Sequence, residues 1–372
     1  MSQAPERPSL GPHFAIYVLG QFDRAAAGVR ADVRRAGAAA VRAAVEREIG
    51  TWPLRPGAAF TLEVAAILFE VDTTIAAAVL ERACERLRRA EASEWERAWH
   101  RAAVALLEGP PLVHRTNWIG LTADWPGGRL GVGAGDVGRF GLVPHLSHVR
   151  ARFARDPEFE FSWGLALEQK AHAWHALRGA VLEGRVNGPR FVFQKEAGRA
   201  VLEQPRDVNH QAMFGEVGVQ LRDLTDAAAA FDLVRQASPD LRDLALLHLG
   251  HVRALRFEFD RALAAWDELE VSADRSIRYL AALLGSRVLA RVDRPTEAIV
   301  SAAEAVEQMP SAPSALLMLA ALRAAAGEDE AAANLVARAL ASPEDSVDPW
   351  WSYFRGHHAE WRPRLQVVRA GW

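Results

Sequence analysis

The chain has 372 residues, 50% hydrophobic and 24% charged, enough apolar material for two globular domains or one long solenoid; that composition excludes disorder. A formal charge of −3 gives no bulk electrostatic case for nucleic acid or an anionic membrane. Cys84 is the single cysteine, which excludes an intrachain disulfide and a thiolate metal cluster.

Residues 1–12 carry Pro5, Pro8, Gly11 and Pro12 and read as a loose lead-in. Arg7 is the only early positive charge besides the amino terminus, and the apolar run from Phe14 to Leu19 is too short for a secretory signal. No stretch approaches the roughly 18 unbroken apolar residues of a membrane span, so the expected compartment is the cytoplasm. A short helix is predicted to end at Gly20, with Asp23 capping the next one, so that residues 13–36 form a degenerate hairpin.

Four helices are predicted next, from about Ala38 to Ile49, Ala58 to Glu70, Thr73 to Ala90 and Ser93 to Leu107. Asp72 and Ser93 are the expected caps, with Glu96 three residues beyond Ser93 as a capping-box partner. Residues 109–140 then break the pattern with Pro110-Pro111, Trp118, Trp125-Pro126 and seven glycines from Gly120 to Gly138. Gly133-Ala134-Gly135-Asp136-Val137-Gly138 spells G-x-G-x-x-G, but a dinucleotide site needs a buried strand before it, and Arg129 to Val132 makes a poor one. Helical pattern resumes near Gly141 and runs from Pro144 to Ala154, then from Pro157 to 183; Phe191 to Leu202 is predicted as the partner helix.

From Val208 to Pro343 one unit is written four times. Small residues at Ala227, Ala262, Ala298 and Ala332 are spaced 35, 36 and 34 apart. Four residues after each comes an inward-facing position, Phe231, Trp266, Ala302 and Val336; twelve before comes a small residue, Gly215, Gly250, Ser286 and Ala320. The same glycine-to-alanine offset links Gly327 to Ala332 and Gly20 to Ala25. This period, with small residues at the crossing of two helices, resembles the tetratricopeptide repeat.

The resemblance implies an all-α fold, an α-solenoid of antiparallel helical hairpins wound into a right-handed superhelix. It also implies that the first helix of each hairpin lines a concave groove that binds a peptide or helix of another protein. The groove positions carried over are Asn209, Glu216 and Gln220 in the first unit, His251 in the second, Arg287 and Arg291 in the third, and the neighbouring apolar rungs Leu247, Leu280, Leu283 and Leu317. Arg287 and Arg291, four residues apart, suit a partner's carboxylate or else an internal salt bridge. The family's chaperone-binding clamp uses lysines and asparagines; with only Lys170 and Lys195 in the chain, that particular function does not fit.

The expected organisation is 1–108, a helical region of degenerate hairpins; 109–140, the glycine-, proline- and tryptophan-rich loop; 141–344, the solenoid; and 345–372, an aromatic segment capping the last hairpin. Histidine pairs at i,i+3 occur at His145/His148, His172/His175 and His248/His251, and Glu168 shares a helix face with His172 and His175. No second helix supplies matching ligands by spacing, so no metal, cofactor or catalytic residue is assigned, and no nucleophile elbow or phosphate loop is present. The sequence therefore reads as a non-enzymatic protein-interaction scaffold. The alternative is a small-ligand or enzymatic role centred on 109–140, and a third reading has the terminal segment occupying the groove itself.

Overall fold

The computed structural model describes residues 8–89, 93–107, 143–182, 191–194, 199–202, 208–343, 347–354 and 361–372. Apart from one short antiparallel strand pair, these residues form an all-α protein that divides into two compact units, one of 1–154, 169–220 and 356–372, the other of 155–168 and 221–355. The glycine-rich loop and its G-x-G-x-x-G string lie outside the described residues, as does His357-His358.

In the first unit, α1 (Gly11–Val18) and α2 (Phe22–Ala36) pack as a hairpin about Gly20, whose φ of 77° is the left-handed conformation that closes a helix C-terminus. Asp23 sits within the first turn of α2 but makes no side-chain cap; the cap position is Gln21. Next come α3 (Ala38–Glu48), α4 (Leu54–Phe69), α5 (Thr73–Leu87) and α6 (Glu94–Leu107). Asp72 and Ser93 start α5 and α6 as expected, accepting from the Ile75 and Glu96 amides at 3.1 and 3.2 Å. α4 is buried along almost its whole length, and Trp99 of α6 donates to the Ala58 carbonyl within that core. A short α7 (Val143–Val149) packs on α5.

α8 (Pro157–Leu182) follows, its amino end capped by Asp156. Phe191–Gln194 and Arg199–Leu202 are not a helix but strands β1 and β2, paired antiparallel with Phe191 opposite Leu202. Phe191, Val192 and Val201 are aromatic and β-branched residues that favour a pleated strand over a helix.

The second unit is built from consecutive helix pairs: α10 (Arg242–Leu255) with α11 (Phe259–Asp267), α12 (Arg275–Arg291) with α13 (Pro295–Gln308), and α14 (Pro313–Ala325) with α15 (Asp329–Leu340). Each helix also packs on the next, and α10, α12 and α14 touch one another in turn. The three hairpin turns place a left-handed residue five positions before the anchor alanine: Phe257 at φ 63°, Asp293 at 60° and Gly327 at 82°.

The unit anchored on Ala227 departs from this pattern. α9 (Val208–Ala237) is one continuous helix of 30 residues, because Leu221 to Asp226 contain no helix breaker and Thr225 returns its hydroxyl to the Leu221 carbonyl at 2.7 Å. The first helix of this hairpin is the start of α8 instead. A Cβ on Gly164 would stand 2.8 Å from the Phe231 ring, as one on Gly250 would stand 2.2 Å from Trp266 Nε1. Gly164, not Gly215, is therefore the crossing residue, and residues 169–220 separate the two halves of the hairpin in sequence.

Phe231, Trp266 and Ala302 are buried as expected, whereas Val336 is 38% exposed and Leu335 takes the inward place. In α15, the last helix of the last hairpin, the outer side also leaves Leu340 exposed. The final segment splits in two: α16 (Pro349–Phe354) packs on α12, while α17 (Trp361–Ala370) packs in the first unit on α4 and α6 rather than capping α15. There Trp95 donates to the Val368 carbonyl at 2.9 Å and Arg369 pairs with the buried Glu63.

Candidate functional site

α10, α12 and α14 are the first helices of three hairpins, and a group of side chains from them meets residues 347–354. Asp348 is buried at the centre. Its Oδ1 accepts from the Tyr279 hydroxyl of α12 at 2.8 Å, and its Oδ2 from the Ser314 amide in the first turn of α14 at 2.9 Å. Oδ1 also accepts from the Trp350 amide at 3.0 Å, so one carboxylate caps two helices, α14 and α16. Burial and the adjoining Asp348 carboxylate push the Tyr279 hydroxyl well above its ordinary range, keeping it a donor.

Two turns along α12, the Arg287 guanidinium lies over the Trp350 ring at 5.2 Å. One turn further, Arg291 lies over Phe257 at 5.0 Å and Phe259 at 5.4 Å, rings that themselves meet edge to face. Both arginines are exposed, and neither forms a salt bridge among the described residues. Arg275 and Arg278 of the same helix are tied instead to α13, through the Glu307 carbonyl and Gln308. A guanidinium stacked on a ring keeps its in-plane N–H donors available, which is the edge that grips a carboxylate.

Tyr353 closes the other end. It stacks on His248 at 5.1 Å, meets His251 edge-on at 5.7 Å, and donates its hydroxyl to Glu168 Oε1 at 3.3 Å. Glu168 comes from α8 and is buried; its two oxygens contact His251 Nδ1 at 2.6 Å and His248 Nδ1 at 2.7 Å. Burial alone would raise this carboxyl, but the two imidazoles and their hydrogen bonds together hold it well below the usual carboxylate range.

Glu168 therefore partners two histidines of α10; the side chains of His172 and His175 on its own helix lie outside the described residues. The spacing of His248 and His251 was visible in the sequence; their acceptor was not, because it lies 80 residues away on the displaced half-hairpin.

The expected groove positions are thus divided. His251, Arg287 and Arg291 lie on adjacent first helices of the second unit, His251 already engaged by Glu168. Asn209, Glu216 and Gln220 lie on α9 in the first unit, with side chains outside the described residues, and α9 is not the first helix of that hairpin. Leu247, Leu280 and Leu283 are core residues rather than groove rungs, while Leu317 is 48% exposed. On the side of α12 opposite Arg287 and Arg291, a cleft of about 520 Å³ is lined by Asp267, Glu270, Glu297 and Glu304 together with Arg278, a net acidic set.

A second polar cluster is buried in the first unit. Glu96 accepts from Arg152 at 2.8 Å and lies 3.5 Å from His100 Nε2, while His100 and His145 approach to 4.8 Å between ring centres. Burial pushes Glu96 up to about 7 against the pull of Arg152. Burial, reinforced by Arg152, holds His100 down to about 3, and His145 is held down to about 2. Uncharged imidazoles beside Trp99 and Phe153 serve here as core. Among the described residues no group of three His, Cys, Asp or Glu side chains converges as a metal site, and no helix is long and apolar enough to cross a membrane.

Compared with models of known protein families and with curated proteins, the chain matches none.

Proposed function

We propose that residues 155–168 and 221–355 form a tetratricopeptide-like solenoid scaffold of helical hairpins in a right-handed superhelix, and that it works by binding rather than by catalysis. Its ligand on this reading is an acidic segment of a partner protein, held on the face of α10, α12 and α14. The observation that carries this is the arginine pair: Arg287 and Arg291 stand one turn apart, exposed, stacked on aromatic rings and without a carboxylate among the described residues.

Phe257 adds support. Its position in the hairpin turn requires a left-handed backbone, met by glycine at Gly20 and Gly327, and a bulky residue there is strained. The ring is nonetheless there, 57% exposed beneath Arg291. The acidic lining of the opposite cleft would repel the same partner, which directs it to the arginine face.

The test is capture of partners on the intact protein and on Arg287→Glu/Arg291→Glu, with equal helical circular dichroism as control. Two charge-assisted contacts worth about 1.5–3 kcal/mol each predict at least a hundredfold loss of affinity for the partner. A partner held equally by both proteins would place binding elsewhere.

A further inference from the structure

The face of α10, α12 and α14 is already covered by a short segment of the chain. Asp348, Trp350 and Tyr353 fall at intervals of two and three residues, and each meets a different station. Asp348 takes Tyr279 and the α14 amino end, Trp350 takes Arg287, and Tyr353 takes His248, His251 and Glu168. Pro349 at the first helical position presets the turn that spaces them. Trp350 and Tyr353 also rest on the core shared by α10 to α14 while remaining only half-buried. These are the features of a bound peptide: one buried anion, two aromatic anchors and a single helical turn between.

We infer that residues 347–354 are a resident stand-in for the partner's segment, a strap that a partner displaces. This rests on the scaffold reading above and specifies its ligand. The partner segment carries an acidic residue at the start of a helical turn and aromatic residues two and five positions later. The acid replaces Asp348 at Tyr279 and the Ser314 amide, and the aromatic residues replace Trp350 against Arg287 and Tyr353 against the Glu168 cluster. Because the strap is tethered, it competes at an effective concentration on the order of millimolar, so a partner must supply further contacts, for which Arg291 is placed.

The test uses a labelled synthetic peptide of residues 346–355 added to the full-length protein and followed by fluorescence anisotropy. Trp350→Ala/Tyr353→Ala, which weakens the resident segment, should bind the peptide about tenfold or more tighter than the wild type does. Substituting the peptide's aspartate by alanine should abolish that binding. In the wild type, excess peptide should accelerate amide hydrogen exchange at residues 350–354, a readout that needs no variant to fold.

Failure of the peptide to bind the folded variant, or unchanged exchange in the wild type at saturating peptide, overturns the inference. A wild type that sediments as a dimer through exchange of this segment gives the face to a second copy and also overturns it. Partner capture that still depends on Arg287 and Arg291 while the peptide fails to bind would leave the scaffold standing and remove the strap.

Discussion

Three glycines of the second unit offer a graded test of how its helices cross. At Gly250 an added Cβ would stand 2.2 Å from Trp266 Nε1, and that indole is 4% exposed and donates to the Leu247 carbonyl at 3.1 Å. The ring has to move, at about 1–3 kcal/mol for overpacking, and the displaced hydrogen bond adds about 1 kcal/mol. Alanine in a helix interior returns about 1 kcal/mol, so Gly250→Ala should lose roughly 2 kcal/mol, or about 4–8 °C in Tm for a unit of this size. At Gly164 the contact is 2.8 Å from the Phe231 ring, which His248 stacks against at 5.3 Å; overpacking and helix propensity there nearly balance, with a net loss of about 0.5–1 kcal/mol. At Gly285 the nearest atom is Ser301 Oγ at 3.3 Å, the end of a side chain, so helix propensity wins and alanine should stabilise by up to about 1 kcal/mol.

Thermal unfolding followed by circular dichroism orders the three, and the sign should change between Gly164 and Gly285. Gly215→Ala belongs in the same series. The regular repeat spacing would make it the costly substitution and Gly164→Ala a gain. That outcome would refute the displaced half-hairpin, and a neutral Gly250→Ala would refute the crossing geometry itself.

The buried cluster of the first unit sets a pH dependence whose direction follows from competing signs. His100 and His145, held down to about 3 and about 2, stay neutral in the fold while the unfolded chain takes up protons below about 6.5. Acidifying from about pH 7 to about pH 5 therefore removes on the order of 2 kcal/mol per histidine, whereas Glu96, pushed up to about 7, returns about 2 kcal/mol over that range. The histidines win by about 1–2 kcal/mol of unfolding free energy measured by urea titration, and Glu96→Gln should steepen the loss toward about 4 kcal/mol; a free energy that rises on acidification would contradict the assignment. In the second unit, Glu168→Ala strips the acceptor from two histidines and should cost about 3–5 kcal/mol, with Glu168→Gln recovering part of it. Because the Glu168 carboxyl is held low, its contribution is complete above about 4.5 and fades as pH falls further, so the deficit of Glu168→Gln should shrink only below that value.

Much of the second unit was legible because its signals are local. The anchor alanines and the residues four beyond them reflect helical periodicity, and Gly327 marks its turn by being the residue that tolerates positive φ. The turns at Phe257 and Asp293 were legible only through the spacing, since neither residue type announces a left-handed backbone. Regular spacing misled at Gly215, because offset counting assumes that the two helices of a hairpin are contiguous. Two signals ran against it: no breaker between Leu221 and Asp226, and Gly164 on an apolar helix preceded by the Asp156-Pro157 start. The inward position fails at Val336 for a different reason. Inward position presumes a following hairpin, and α15 belongs to the last one.

The candidate site was half legible in the same sense. Arg287 and Arg291 follow from helix geometry alone, and so does the pairing of His248 with His251. Arg291 meets Phe257 and Phe259 of the neighbouring hairpin turn, but the partners of Arg287 and of the two histidines come from residues 168, 350 and 353, remote in sequence, and no periodicity reports such contacts. What the sequence did contain was an imbalance. Asp348 followed by Pro349 and three aromatic residues within the next four positions is an acidic start to a short apolar turn, too short to be stable alone. Such a segment holds its conformation only against another surface. Vacating the stations it occupies would strip the Asp348 acceptor from two donors, the Tyr279 hydroxyl and the Ser314 amide, and a hydroxyl donor from the Glu168 carboxylate. Displacement without replacement is therefore costly. A partner that removes the strap has to bring its own carboxylate and rings, and the same polar stations that hold the resident segment would select for that chemistry.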